Sequence, residues 1–294
     1  MKVAIYGQYY QNSTEPIIKD IFDFFNNNGV EMVIEALFLD LLREKELIKK
    51  TYKTFSSHTE LNDSFDMMIS IGGDGTILRA TTLVRDSGIP ILGINAGRLG
   101  FLAMVQKENI STFLQFVIDK KYTITKRTLI SLNCSPENPD IQDMNFAMNE
   151  ISVNRKDTTS MITIETHLNG EFLNSYWADG LIIATPTGST GYSMSCGGPI
   201  LTPDVKSLVI TPIAPHNLNA RPLVIPDETE IKLKVTGRGG KYLVSMDSRI
   251  ASIENDSVLT IKKTNFQINM VEIPGETFLK TLRNKLMWGE DKRN

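Results

Sequence analysis

Two cysteines, three histidines and no long apolar run set the first bounds on this sequence. Cys134 and Cys196 stand far apart with no metal-ligand spacing, so free thiols in a reducing compartment are expected and a structural zinc is not. No stretch approaches transmembrane length. Met1-Lys2-Val3-Ala4-Ile5-Tyr6 reads as a first strand, because its apolar run is too short for a signal peptide and polar residues follow it. The cytoplasm is the expected compartment. A net charge of -3 and a pI near 5.7 give no basic footprint, so neither nucleic acid nor a membrane is an expected partner. Internal repeats and low-complexity segments are absent. What is present is ordinary globular composition, 41% hydrophobic and 22% charged over 294 residues, enough for two domains with their own cores.

The chain is organised around Ile69-Ser70-Ile71-Gly72-Gly73-Asp74-Gly75-Thr76. Met67, Met68, Ile69 and Ile71 make a run too short for a helix and suited to a buried strand; the glycines permit close approach of a ligand to the backbone. Thr76, Ile77, Leu78, Ala80 and Leu83 then suit a helix whose N-terminus would offer amide donors to a phosphate. A carboxylate beside phosphates is repulsive unless it holds a metal, a sugar hydroxyl or a proton in transit, which makes Asp74 the candidate reacting group. A plain strand-to-helix turn is the alternative.

Around this loop strands and helices alternate: a strand over 3–6, a helix opening at Pro16, a strand over 32–34, a charged helix over 39–52, the glycine loop, and a strand over 89–94. Such alternation predicts an α/β N-terminal domain with a parallel sheet and ligands beyond the carboxyl ends of its strands. Asn95-Ala96-Gly97-Arg98-Leu99-Gly100-Phe101 is a second glycine loop at such an end, and Phe101 suits either an adenine ring or a core cap. A helix over 111–120 follows. From Tyr122 onward β-branched and polar residues alternate, predicting a β-rich C-terminal domain. Its elements are a strand over 122–133, a loop over 136–143, a hairpin of 162–168 and 172–177 closed by Asn169-Gly170, and strands over 181–184, 208–213, 230–235, 242–246 and 258–261. A last amphipathic helix over 276–288, with Phe278, Leu279, Leu282 and Leu286 on one face, is expected to pack back on the first domain. The expected domains are 1–121 with 272–294 returning, and 122–271.

Two stretches of the second domain carry chemistry. Asn149-Glu150 pairs an amide with a carboxylate, a combination that can grip a ribose or an adenine edge and equally marks a strand edge or turn. The run from Asp179-Gly180 through Thr185-Pro186-Thr187-Gly188-Ser189-Thr190-Gly191-Tyr192-Ser193-Met194-Ser195 delivers hydroxyls and glycines from a buried strand, and Tyr192 adds a ring for a flat heterocycle.

In this order, Gly-Gly-Asp-Gly-Thr, Asn-Glu and Asp-Gly…Thr-Pro-Thr-Gly-Ser-Thr-Gly-Tyr closely resemble the NAD kinase family, over most of the chain. The first motif is shared with 6-phosphofructokinases and with diacylglycerol and sphingosine kinases; the segment 179–192 points to NAD kinase itself. Gly191 stands where many members have alanine, and Asp247-Ser248-Arg249 where Asp-Gly-Gln is common, which leaves the role of Arg249 open. The resemblance implies transfer of the terminal phosphoryl group of ATP to the 2′-hydroxyl of the adenosine ribose of NAD, with Asp74 as proton acceptor. It implies that the amides of Gly72, Gly73, Gly75 and Thr76 hold phosphate oxygens and that Mg²⁺ arrives with the donor phosphates, since no carboxylate cage is evident. Arg79 suits a phosphate or the bare surface. By the same resemblance Asn149 and Glu150 contact the adenosine and Asp179 the nicotinamide end. Thr190, Gly191, Tyr192 and Ser195 line the dinucleotide site together with Thr187, Ser193 and Met194, while Ala214 and His216 reach across from a neighbouring subunit of a homodimer or homotetramer. A lipid kinase of the diacylglycerol or sphingosine type, and a dinucleotide-binding regulator without catalysis, are the alternatives.

Overall fold

Short strands alternate with helices through the first part of the chain: β1 (Lys2–Gly7), α1 (Thr14–Asn27), β2 (Glu31–Glu35), α2 (Ala36–Glu44), β3 (Lys53–Phe55), β4 (Met67–Gly72), α3 (Asp74–Val84), β5 (Ile91–Asn95), α4 (Ile110–Ile118) and β6 (Thr123–Arg127), with β4 and β5 fully buried. The computed structural model describes residues 1–9, 14–97, 100–103, 105, 110–142, 144–156 and 160–289. Arg98 and Leu99 of the second glycine loop, and Asp143, lie outside the described residues. The chain divides into two units, Met1–Lys126 with Ile268–Asn294, and Arg127–Gln267.

In the first unit the seven strands stand in the order β3-β2-β1-β4-β5-β19-β6, where β19 (Ile268–Glu272) is the returning segment. The pairings β3–β2, β2–β1, β1–β4, β4–β5 and β5–β19 are parallel. Val3, Ile5, Ile69, Ile71, Leu92 and Ile94 point to one side and form a core with α1, α2 and α4. The alternate residues Ala4, Met68 and Ile91 are also fully buried, and Ile77 of α3 lies against Gly93. A sheet covered on both faces explains why these strands read as near-continuous apolar runs. The chain leaves β1 toward β2 and leaves β4 toward β5, so the strand order reverses between β1 and β4. A crevice opens at such a switch point, at the carboxyl ends of the strands.

The second unit packs two six-stranded sheets face to face. One runs β11-β10-β15-β18-β7-β8 and contains β7 (Ile130–Ser135), β8 (Phe146–Ala147), β10 (Ile162–Leu168), β11 (Glu171–Ala178), β15 (Ile231–Gly237) and β18 (Val258–Lys263). The other runs β14-β13-β12-β9-β16-β17, with β9 (Glu150–Arg155), β12 (Gly180–Ala184), β13 (Ser207–Ile213), β14 (Leu223–Pro226), β16 (Lys241–Met246) and β17 (Arg249–Glu254). Ile164, Leu233, Val235 and Ile261 of the first meet Ile151, Val153, Ile183 and Val244 of the second in one core. In β15 Ile231, Leu233 and Val235 are buried while Lys232 and Lys234 are exposed, the period of two of a half-buried strand. Asn169 and Gly170 turn the β10–β11 hairpin with φ of 50° and 86°, the left-handed pair that a two-residue turn of this kind demands.

Several local expectations are corrected. The charged helix ends at Glu44 rather than at 52: Glu46 takes φ 54°, Leu47, Ile48 and Tyr52 pack on the core, and β3 follows. The expected strand over 122–133 is two strands in different sheets, β6 and β7, parted at Thr128-Leu129. The loop over 136–143 contains the short helix α5 (Pro139–Gln142). In the last helix (Phe278–Leu286), Leu282 is buried but Leu279 is 62% exposed, so Leu279 is not on the packed face. That helix belongs to the first unit, where Phe278 packs at 6.5 Å against Phe101.

Candidate active site

Asp74 is the first residue of α3, at the carboxyl end of β4 and beside the switch point. Helix formation starts two residues earlier than Thr76, and a carboxylate in the first turn complements the helix dipole. Its N-cap, Gly73, brings no side chain to the first-turn amides; that of Thr76 turns back to the Gly73 carbonyl at 3.0 Å. Both carboxylate oxygens of Asp74 are engaged. Oδ2 accepts the N–H of Phe101 at 2.8 Å, and Oδ1 accepts those of Leu102 and Ala103 at 3.0 and 3.1 Å. A Cβ on Gly100 would overlap this carboxylate. Across the switch point, Gln8 donates its N–H to Ile71 at 3.0 Å and its side-chain carbonyl accepts the Thr76 hydroxyl at 3.1 Å. Gln8 escaped the sequence reading; its signal is the position directly after the glycine ending β1. Arg79 lies exposed in the second turn of α3. Phe101, only 9% exposed, packs at a tilt against Phe278 under the ammonium of Lys285.

In the second unit Asn149 and Glu150 stand at the start of β9, where Asp247 holds their backbone. Oδ1 of Asp247 accepts the N–H of Asn149 at 2.8 Å and of Glu150 at 3.2 Å, and Oδ2 accepts that of Met148 at 3.0 Å. Arg249 braces the same turn: it donates to the carbonyls of Met144, at 2.7 Å, and Phe146, and lies 3.9 Å from Asp247. The side-chain atoms Asn149 Oδ1 and Glu150 Oε2 are buried and bond to no protein atom. Burial, then the nearby charge of Asp247, pushes the Glu150 carboxyl up to about 8, against the pull of the Tyr192 N–H. A buried polar atom left unpaired is costly unless a ligand completes it.

The hydroxyl-rich segment folds back on itself. Thr185 Oγ1 donates to Met148 O at 2.5 Å and accepts the Gly188 N–H at 3.1 Å; Ser189 and Thr190 donate to the carbonyls of Pro186 and Thr187. Ser193 pairs with Thr211 at 2.8 Å and is fully buried, as Thr187 and Thr190 nearly are. These hydroxyls satisfy a buried loop's own backbone. Gly188 sits against the Asn149 carbonyl, Gly191 faces Glu150 Oε2, and the exposed Tyr192 and Ser195 with half-buried Met194 follow. A separate cavity of about 470 Å³ brings Asp179 and His216 together with Arg155, Trp177 and Arg238. Arg155 pairs with Asp179 at 3.1 Å, and the His216 ring lies 5.9 Å from that of Trp177. Ala214, at the end of β13, takes φ 43°.

A parallel α/β unit with a glycine-flanked aspartate at its switch point, followed by a β-sandwich, defines a two-domain phosphotransferase of the Gly-Gly-Asp-Gly-Thr type. The comparisons specify it further. The ATP-NAD kinase N-terminal domain matches residues 4–122 and the C-terminal domain residues 148–273. The chain is 74% identical to the NAD kinase of Flavobacterium johnsoniae and 43% to that of Bacteroides fragilis, each covering 100% of both chains. Among solved structures it resembles yeast NADH kinase complexed with NADH, at TM-score 0.87 and 22% identity over 99% of this chain and 89% of that one. It also resembles an NAD kinase from Archaeoglobus fulgidus in complex with ATP, at TM-score 0.73 and 27% identity over 98% of each. The chain belongs to the NAD kinase family.

Proposed function

We propose that the protein transfers the terminal phosphoryl group of ATP to the 2′-hydroxyl of the adenosine ribose of NAD, forming NADP and ADP. The observation that carries this reading is Asp74, a carboxylate anchored at the head of α3 beside the switch point. The ribose oxygen forms a bond to the terminal phosphorus as the bridging bond to ADP breaks. The hydroxyl proton passes to Asp74, and ADP leaves with the electron pair. Base catalysis of this kind contributes on the order of 10²- to 10⁴-fold, positioning and charge neutralisation the remainder. Among the described residues no group of three or more His, Cys, Asp or Glu side chains could hold a metal, and Mg²⁺ is taken as part of the donor, bound through its phosphates. The amides of Gly72, Gly73 and Gly75 with Arg79 are assigned to the phosphates; Thr76, fully buried with its hydroxyl given to Gln8 and its amide to Gly73, shapes the loop that presents them.

Asn149 and Glu150 are assigned to the adenosine, because their buried, unbonded oxygens match the donors of an adenine amino group and ribose hydroxyls. With its carboxyl raised to about 8, Glu150 keeps its proton at neutral pH and donates as well. Gly191 and Tyr192 line the same ligand; Asp179, Ala214 and His216 take its nicotinamide end in a homodimer or homotetramer. No helix among the described residues is long and apolar enough to cross a membrane, and the cytoplasm is the proposed compartment. The test is a coupled assay of the purified protein with ATP, Mg²⁺ and NAD, read by an NADP-specific dehydrogenase. NADP forms only with all three present and not with Asp74→Asn, which still binds NAD. Full turnover by Asp74→Asn would overturn the assignment.

A further inference from the structure

We propose that the backbone of residues 100–103 is the device that positions the reacting carboxylate, and that it leaves one acceptor site, on Asp74 Oδ2, for the hydroxyl to be phosphorylated. This rests on the reading of Asp74 as proton acceptor. An ionised carboxylate offers about four lone-pair directions. Three are taken by consecutive amides: Leu102 and Ala103 fill Oδ1, and Phe101 takes half of Oδ2. Rotation of the carboxylate about its own axis would break all three charge-assisted bonds at once, so the remaining lone pair keeps a fixed direction. The donors belong to the backbone, whose positions do not depend on side-chain rotamers.

Gly100 makes the arrangement possible. The amides reach the carboxylate only because position 100 has no Cβ, which would overlap Asp74 Oδ1. Gly97, three residues earlier in the same loop, has nothing within 4 Å of an added Cβ. Gly100 is therefore a positioning residue, acting through Asp74 without touching substrate, and Gly97 is an internal control.

The experiment compares Gly100→Ala, Gly97→Ala, Asp74→Asn and Asp74→Glu for kcat, for NAD dissociation constant by calorimetry and for melting temperature. Gly100→Ala is expected to lose kcat by roughly a hundredfold, the scale of an ångström-sized misplacement, with NAD affinity within about threefold of the unaltered protein; Gly97→Ala behaves as the unaltered protein. Asp74→Glu keeps the charge but carries it beyond the amides, and is expected to be nearly as inactive as Asp74→Asn. A Gly100→Ala protein with unchanged kcat, or one losing kcat and affinity in parallel with its melting temperature, would overturn the inference while an inactive Asp74→Asn left the reaction assignment standing. An active Asp74→Asn would remove that assignment itself. If Gly100→Ala fails to fold, Asp74→Glu decides: substantial turnover by that variant refutes the need for a fixed carboxylate.

Discussion

Glu150 and Asp247 are bonded to each other twice through the backbone: the Glu150 N–H donates to the Asp247 carboxylate at 3.2 Å, and the Asp247 N–H donates to the Glu150 carbonyl at 3.0 Å. Their side chains are therefore two buried carboxyls in one small volume, a situation in which the charged forms are disfavoured by desolvation and by each other.

Burial first, and then the Asp247 charge, raises Glu150 from its ordinary 4.5 to about 8. The folded protein then holds a proton that the unfolded chain releases across this interval, so stability falls as pH rises from about 4.5 to about 8 and levels off above it. Asp247 is raised as well, chiefly by burial, and adds to the same slope. In Glu150→Gln the Glu150 contribution disappears. The melting temperature of the variant relative to the unaltered protein is expected to climb between pH 5 and pH 8.5; a constant difference would refute the shifted carboxyl.

The Asp247 carboxylate accepts the N–H groups of Met148, Asn149 and Glu150. Asp247→Ala orphans those donors, at about 1–3 kcal/mol each before relaxation. Asp247→Asn retains one acceptor oxygen and places an amide NH₂ against a backbone N–H. It is expected to fold, with KM for NAD raised about tenfold, equivalent to ~1.4 kcal/mol, and KM for ATP changed much less. Initial-rate kinetics with each substrate varied in turn checks this.

How much of this was legible in advance followed the range of the physics. The strand ending in Gly72-Gly73, the Asn169-Gly170 hairpin and the alternating strand Ile231–Gly237 declare themselves locally, because side-chain period and turn geometry are set within a few residues. The Asp74 and Asn149-Glu150 motifs were equally visible. Their supports were not: Asp74 is held by amides 27 to 29 residues away and Asn149 by a carboxylate 98 residues away, and neither contact leaves a local pattern. The hydroxyls of Thr185, Ser189 and Ser193 looked like ligand donors because nothing local announced that the loop would be buried and would need them itself.

Arg249 provides a third expectation, since its guanidinium serves the carbonyls of Met144 and Phe146 and lies 5.4 Å over the Phe146 ring. A glutamine has a single NH₂ group and cannot span both carbonyls in the same fork. Arg249→Gln is expected to lose about 1.5–3 kcal/mol of stability, the range for bonds to a charged donor, while kcat stays near that of the unaltered protein. Urea denaturation beside the coupled assay separates the two readouts.

The two glycines flanking Ser189-Thr190 make opposite predictions from the same substitution. At Gly188 a Cβ would overlap the backbone carbonyl of Asn149, which already accepts the Thr185 N–H at 2.9 Å and cannot retreat without carrying the Asn149-Glu150 turn with it. Gly188→Ala is therefore expected to cost about 1–3 kcal/mol, as overpacking does, and to raise KM for NAD by tenfold or more (~1.4 kcal/mol). At Gly191 the nearest atom to an added Cβ is Glu150 Oε2 at 3.3 Å, followed by the Gly188 carbonyl at 3.3 Å, and φ is an unstrained −99°. The carboxyl tip can rotate by a few tenths of an ångström, so Gly191→Ala should fold normally and keep KM for NAD within about threefold, under ~1 kcal/mol. Equal damage from both substitutions would mean that the loop responds to any added methyl group, and that the contact between Gly188 and Asn149 has no special part in holding the adenosine-facing side chains.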